Sequence, residues 1–155
     1  VTTEEACPLC AELGGTLVWQ GRSARVVQVD DPDYPGYCRV IWNAHVPEMS
    51  DLDEAERSHL WAIVDRVERT LRDMLLTDKI NLASLGNQVP HLHWHVIPRW
   101  RDDRNFPDPI WALARRAGAV HRVGVEPDDP WPQRQRTAAR LAQPLAHSLE
   151  TSFPW

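Results

Sequence analysis

The stretch His91-Leu92-His93-Trp94-His95-Val96-Ile97 sets three histidines in strict alternation with bulky apolar residues. Period 2 is the repeat of a β-strand. The imidazoles of His91, His93 and His95 are therefore predicted to leave one face, and Leu92, Trp94 and Val96 the other. Successive imidazoles on such a face start about 6–7 Å apart, from a rise of about 3.3 Å per residue. A helix would scatter them at steps of about 100°. A strand with one apolar face and one row of imidazoles suits nucleophilic, acid–base or metal-binding chemistry. Two blander readings stand beside that one: histidines that merely face solvent, and a metal site built on the His-x-His pairs. No Asp or Glu in the strand completes the second.

Working outward, Thr16–Gln20 and residues 25–30 read as strands joined by Gly21-Arg22-Ser23. Asp31-Pro32-Asp33-Tyr34-Pro35-Gly36 is a loop by its Pro and Gly content, and residues 37–43 form a third strand. Ser50 is predicted to cap a long helix with Asp51, Asp53 and Glu54 in its first turn. Leu60, Ile63, Val64, Val67, Leu71, Met74 and Leu75 recur at helical spacing, so one face of that helix packs on the sheet. Residues 79–85 are a fourth strand, and Gly86-Asn87-Gln88-Val89-Pro90 leads into the histidine strand. Hairpins and one long helix predict an α+β fold with a mainly antiparallel sheet of about five strands. Beyond Trp100 the chain is Pro-rich and irregular, with short helices predicted over residues 108–117 and 133–149, the second interrupted by Pro144. The expected division is a domain over residues 1–105 and an extension over 106–155, packed on the domain or on a dimer partner.

A chain of 155 residues suits one domain with a real core. The net charge of −5 argues against nucleic-acid binding. It is uneven: residues 1–90 carry 8 basic and 15 acidic residues, whereas residues 91–155 carry 9 and 7. Arg99, Arg101 and Arg104 predict a basic rim for a small anionic ligand, over which residues 106–111 would close. No apolar run approaches the roughly 18–20 residues that span a bilayer. Val1-Thr2-Thr3-Glu4-Glu5 lacks a signal-peptide start, so a cytoplasmic protein without membrane partners is expected. Three cysteines make no disulfide framework, and Cys38 reads as core. Trp19, Trp42, Trp61, Trp94 and Trp111 read as core or interface; Trp131 and Trp155 lie in the Pro-rich tail. His59, His121 and His147 carry no pattern and read as surface residues.

The run 91–97, followed by Pro98-Arg99, resembles the signature of the histidine-triad (HIT) family. Val40-Ile41-Trp42-Asn43-Ala44-His45-Val46, followed by Asp51-Leu52, resembles that family's second landmark, a strand ending in a histidine before the long helix. The likeness covers residues 5–105 and is closest to bacterial diadenosine-tetraphosphate hydrolase-like HIT proteins. It implies a HIT-like fold, a homodimer and a nucleotide substrate. It also implies that His93 attacks an α-phosphorus to form a nucleotidyl-histidine, which water releases as a nucleoside monophosphate. Attack through Nε2 requires a proton on Nδ1, and the resemblance implies that the backbone carbonyl of His95 holds it. The His95 side chain would contact the scissile bridge or leaving group, with His91 and Gln88 completing the catalytic set. Asp30 or Asp31 would meet the ribose hydroxyls, and Asn81, Asn87, Gln88 and Arg99 the phosphates.

Cys7-x-x-Cys10 has ligand spacing for zinc. The resemblance implies that it joins His45 and His91 in a structural Zn²⁺ site pinning the N-terminal segment to the catalytic strand; a reduced dithiol without metal is the alternative. A redox role is disfavoured because the motif does not open a helix after a βαβ-type strand. No organic cofactor is implied. Two positions depart from the family pattern: Tyr37 stands where many relatives have a histidine, and Gln88 where many have Ser or Thr. Tyr37 is expected to hydrogen-bond near His93. Asymmetric cleavage of dinucleoside polyphosphates is the leading reading. Hydrolysis of nucleoside phosphoramidates is the nearest rival, and a nucleotide-binding scaffold or a bare metal-binding module are rivals of a different class.

Overall fold

The structure, a computed structural model, describes residues 6–119 and 128–154. Five strands, β1 (Thr16–Gln20), β2 (Ala24–Gln28), β3 (Cys38–Trp42), β4 (Lys79–Ala83) and β5 (His93–Arg99), form one sheet in the order β1-β2-β3-β5-β4. Every neighbouring pair is antiparallel. The architecture is the expected α+β fold, with strand ends within two residues of expectation for the first four strands.

The sheet owes its two faces to alternation. Ala24 and Val26 of β2, Cys38, Val40 and Trp42 of β3, and Val96 of β5 join the main core with the long helix. Arg25, Val27, Arg39, Ile41, His93 and His95 fall on the opposite face. There Cys7 and Leu9 of the N-terminal segment pack on Val27 and Ile41. The sheet is thus covered on both sides, and the histidines lie under a partial roof.

Helix α2 (Glu54–Leu75) buries Leu60, Ile63, Val64, Val67, Leu71 and Leu75. This is the predicted stripe, with Met74 only partly buried. Its cap differs from expectation. Asp53, not Ser50, is the N-cap: Asp53 accepts from the Glu56 backbone N–H at 2.8 Å and Glu56 accepts from that of Asp53 at 3.0 Å. Asp-x-x-Glu closes a reciprocal capping box, whereas Ser50 sits in a 3₁₀ turn, Met49–Asp51.

The tail also departs from expectation. Residues 108–117 form turns rather than a helix. Pro107 and Pro109 withhold backbone donors there, and Arg115 and Arg116 bond back to Asp108, Asp103 and Phe106. Residues 133–149 fall in two helices, α3 (Trp131–Ala139) and α4 (Ala142–Ser152), broken at residues 140–141. Pro144 lies in the first turn of α4, where a missing N–H has no intrahelical partner to lose. Trp131, Leu141, Leu145 and Leu149 are buried in the same core as α2. Trp61 and Trp111 are exposed instead; His59 is half-buried against the ring of Phe153. His121 and Trp155 lie outside the described residues. No helix among the described residues is long and apolar enough to cross a membrane.

Candidate active site and metal cluster

The short helix α1 (Pro8–Ala11) starts at Cys7, and its turn brings the two thiols to one side. Arg25, buried on β2, holds this segment to the sheet. Its guanidinium donates to the carbonyls of Leu9 at 2.5 Å, Leu13 at 3.1 Å and Glu12 at 3.3 Å. Nothing in the sequence singled out this residue, because its acceptors are backbone oxygens.

The ligand atoms of Cys7, Cys10, His45 and His91 all lie within 4.8 Å of one another. Nδ1 of His91 is 3.4 Å from the Cys7 sulfur and 3.5 Å from that of Cys10; Nδ1 of His45 is 3.4 Å from the Cys10 sulfur. Metal–sulfur bonds of about 2.3 Å and metal–nitrogen bonds of about 2.0–2.1 Å, at tetrahedral angles, put S and N about 3.6 Å apart. The four donors therefore fit a tetrahedral metal ion. Nε2 of His91 donates to the Trp42 carbonyl at 2.6 Å, which leaves Nδ1 with its lone pair toward the thiols. Burial lowers the pKa of His91 and favours that neutral form.

His91 does not belong to the strand. β5 begins at His93, and His91 lies in a bend before it, its N–H bonded to the Val89 carbonyl at 2.8 Å. The uniform row of three strand imidazoles thus becomes one buried histidine in the Cys/His cluster and two pocket histidines. A second correction concerns His93. Its Nδ1 is bonded to the backbone carbonyl of His91 at 2.6 Å, not to that of His95. Nδ1 carries the proton, and Nε2 is left as the nucleophilic nitrogen.

His93 and His95 line a cavity of about 610 Å³ with Glu12, Arg39, the loop residues Gly86, Asn87, Gln88 and Val89, and Trp111. Gly86 has φ +72°, the left-handed conformation that lets the loop turn beside the strand. Tyr37 hydrogen-bonds Nδ1 of His95, rather than meeting His93. With the hydroxyl donating, Nε2 of His95 bears the proton. Burial, with lesser contributions from His93 and Arg39, brings the pKa of His95 down to about 4. Burial raises that of Tyr37, opposed by the nearby Arg39 guanidinium. The Trp111 ring meets His95 edge-on at 5.1 Å between centroids.

The remaining predicted residues divide. Asp30 and Asp31 line a neighbouring cavity of about 530 Å³ that shares Arg39 and Trp111 with the first. Asn81 and Arg99 do not reach either cavity. Arg99 is buried, bonded to Asp103 at 2.7 and 3.0 Å, to the Asn81 side chain at 2.5 Å and to the Asp108 carbonyl at 2.8 Å. Its donors serve the fold, and Asn81 serves Arg99. Arg101 pairs loosely with Asp78 at 3.8 Å and Arg104 closely with Asp33 at 2.8 Å, so the basic rim is largely neutralised. Phe106 packs on Arg99; of residues 106–111, Trp111 alone lines the histidine cavity.

Residues 12–102 match the family model described as the HIT domain. The chain is 29% identical over 105 residues to AP-4-A phosphorylase of Mycobacterium tuberculosis, covering 64% of this chain and 54% of that protein. It is 29% identical over 120 residues to a bis(5'-nucleosyl)-tetraphosphatase [asymmetrical] of Schizosaccharomyces pombe, covering 74% of this chain and 66% of that protein. The chain thus spans about half to two thirds of the length of these relatives. Among solved structures, a histidine triad protein from Bradyrhizobium japonicum matches with a TM-score of 0.63 at 25% identity, over 84% of this chain and 92% of that one.

Proposed function

Because the chain belongs to the HIT-domain family, we propose that it is a nucleotide hydrolase that cleaves dinucleoside polyphosphates asymmetrically through a nucleotidyl-histidine. The observation that carries this reading is the 2.6 Å bond between Nδ1 of His93 and the His91 carbonyl, which leaves Nε2 as the attacking nitrogen. A neutral imidazole is a competent nucleophile at pH 7 and a good leaving group afterwards. Burial lowers the pKa of His93 and keeps it neutral.

Nε2 of His93 attacks the α-phosphorus. A P–N bond forms and the P–O bond to the polyphosphate breaks. Nε2–H of His95, oriented through Tyr37, donates to the departing oxygen. Water then attacks the same phosphorus, the P–N bond breaks, and a nucleoside monophosphate leaves. Asn87 and Gln88 donate to phosphoryl oxygens from the loop beside the strand, and Asp30 or Asp31 accepts from the ribose hydroxyls. The names of the tetraphosphatase and phosphorylase relatives support this substrate class.

The ion we assign to Cys7, Cys10, His45 and His91 is zinc. The mixed thiolate–imidazole donor set and four-coordinate spacing favour it, and a closed four-ligand site is structural. Thiols kept free for a metal suit the reducing cytoplasm. Residues 1–105 would hold the whole catalytic constellation, with 106–155 as an extension. A homodimer through the open edge of β4 is favoured by the exposed side chains of Leu82 on that edge and of Trp61 on α2, whose ring meets that of Trp94 at a tilt.

The test is product analysis by chromatography with diadenosine tetraphosphate. AMP and ATP from the wild type, and neither from His93→Asn, are expected. No products from either protein would reject this substrate and turn the assignment to adenosine phosphoramidates.

A further inference from the structure

Arg39 is the one charged residue in the strand sequence Cys38-Arg39-Val40-Ile41-Trp42, and no part of the reaction so far uses it. It pairs across the sheet with His95. Side chains at directly opposed positions start about 4.5–5.5 Å apart on the same face, so the guanidinium is carried to the imidazoles by register. It lines both the His93–His95 cavity and the adjoining Asp30–Asp31 cavity.

Its hydrogen bonding is incomplete. Nη1 donates to the Gly14 carbonyl at 3.1 Å. Nε is buried with no acceptor in hydrogen-bonding geometry, and the Tyr37 hydroxyl lies near the guanidinium. Among the described residues Arg39 has no carboxylate partner. The other arginines held in the fold are different. Arg25 is bonded to three carbonyls, Arg99 to Asp103, Arg104 to Asp33 and Arg134 to Asp102. A cavity-lining guanidinium without a carboxylate partner is suited to an oxyanion that arrives later, met by its terminal nitrogens rather than by the buried Nε. The surroundings call for one. Glu12 lines the histidine cavity, Asp30, Asp31 and Asp33 line its neighbour, and a phosphate chain entering there meets like charge except at Arg39 and the paired Arg104.

We propose that Arg39 is a phosphate-binding residue of this site, donating from its free guanidinium edge to the non-bridging oxygens of the α-phosphoryl group that His93 attacks. A nucleotide with its ribose at Asp30 or Asp31 and its α-phosphorus at His93 must pass its phosphate beside Arg39. The assignment rests on the nucleotide reading above and adds to it the cation that the reaction lacked. Arg39 stabilises charge on phosphorus substituents that neither histidine contacts.

Calorimetric titration with three probes, AMP, adenosine and inorganic pyrophosphate, tests this on the wild type, Arg39→Met and Arg39→Lys. Loss of a hydrogen bond to a charged group lowers affinity about tenfold to hundredfold. AMP binding is expected to weaken by that factor in Arg39→Met while adenosine binding holds, with Arg39→Lys in between. A parallel fall for AMP and adenosine would reduce Arg39 to a structural role and overturn the proposal, as would unchanged AMP affinity. If the wild type neither cleaves diadenosine tetraphosphate nor binds adenosine, pyrophosphate decides. Binding lost in Arg39→Met keeps the phosphate site and discards the nucleotide reading. Binding indifferent to Arg39, or absent from the wild type, discards the phosphate site.

Discussion

His91 and His93 stand two residues apart, one in the bend before β5 and one at its start, and the fold presents opposite nitrogens from them. At His91 the Trp42 carbonyl takes Nε2–H, and Nδ1 faces two thiols and a second imidazole. At His93 the His91 carbonyl takes Nδ1–H, and Nε2 is the nitrogen left for an open cavity. Two backbone oxygens thus separate a closed, four-donor cluster from a reactive pocket, with the same side chain in both. Residue type supplies an imidazole; the carbonyl opposite it decides which nitrogen reacts.

That division breaks most easily at His93. His93→Asn should lower turnover on diadenosine tetraphosphate by at least about 10³-fold. Its metal content, read by elemental analysis, should stay at the wild-type value. Loss of metal in this variant would merge the two regions. Cys10→Ala acts on the other side. It should abolish stoichiometric zinc and remove more than about 3 kcal/mol of stability, read by denaturant unfolding. Turnover at low temperature should stay within about tenfold of wild type, since none of the four donor residues lines the histidine cavity. A fall as deep as that of His93→Asn, with the fold intact, would mean that the cluster takes part in the chemistry.

The pocket side has its own pH signature. The folded-state pKa of His95 lies at about 4, below its ordinary 6.5. Between those values the unfolded chain binds more protons. The stability from neutral His95 is therefore complete above pH 6.5 and is lost as pH falls toward 4. Unfolding of chelator-treated wild type and His95→Gln across that range should show a flatter profile for the variant; identical slopes would deny that His95 is held neutral. The smallest effect belongs to Tyr37→Phe, which removes one hydrogen bond to Nδ1 of His95, worth about 1 kcal/mol or fivefold in rate. A loss of several hundredfold would give the hydroxyl a direct part in proton transfer.

The β-strands and the buried stripe of α2 were legible because both are periodic, and periodicity is local. The cluster at Cys7, Cys10, His45 and His91 was legible through ligand types and a likeness to known chains. The remainder depended on which groups the fold brings into contact. Arg99 follows the histidines and looked like an anion-binding rim, but Asp103 lies four residues on and folds back beneath it. His91 shares the alternation of the strand, yet the Leu92 N–H turns to the Val46 carbonyl and the Trp42 carbonyl accepts from the His91 imidazole, so the ladder stops just before His93. Asp53-x-x-Glu56 is a capping box written in local sequence, and it outcompetes Ser50 as the cap. Arg39 left a signal too, a lone cation in an apolar strand, whose meaning needed the register with His95.

The burial of Leu141, Leu145 and Leu149 beside α2 bears on how the chain comes off the ribosome. All five strands and α2 are synthesised by residue 99, but the apolar surface that α4 covers stays bare until residue 149 has emerged. At about 5–20 residues per second, the nascent sheet waits several seconds with a greasy flank in the open. The interval is a window for chaperone capture or for sticking to a neighbour on the same messenger. A silent codon change that slows translation of residues 100–140 would lengthen it without altering one contact of the finished protein.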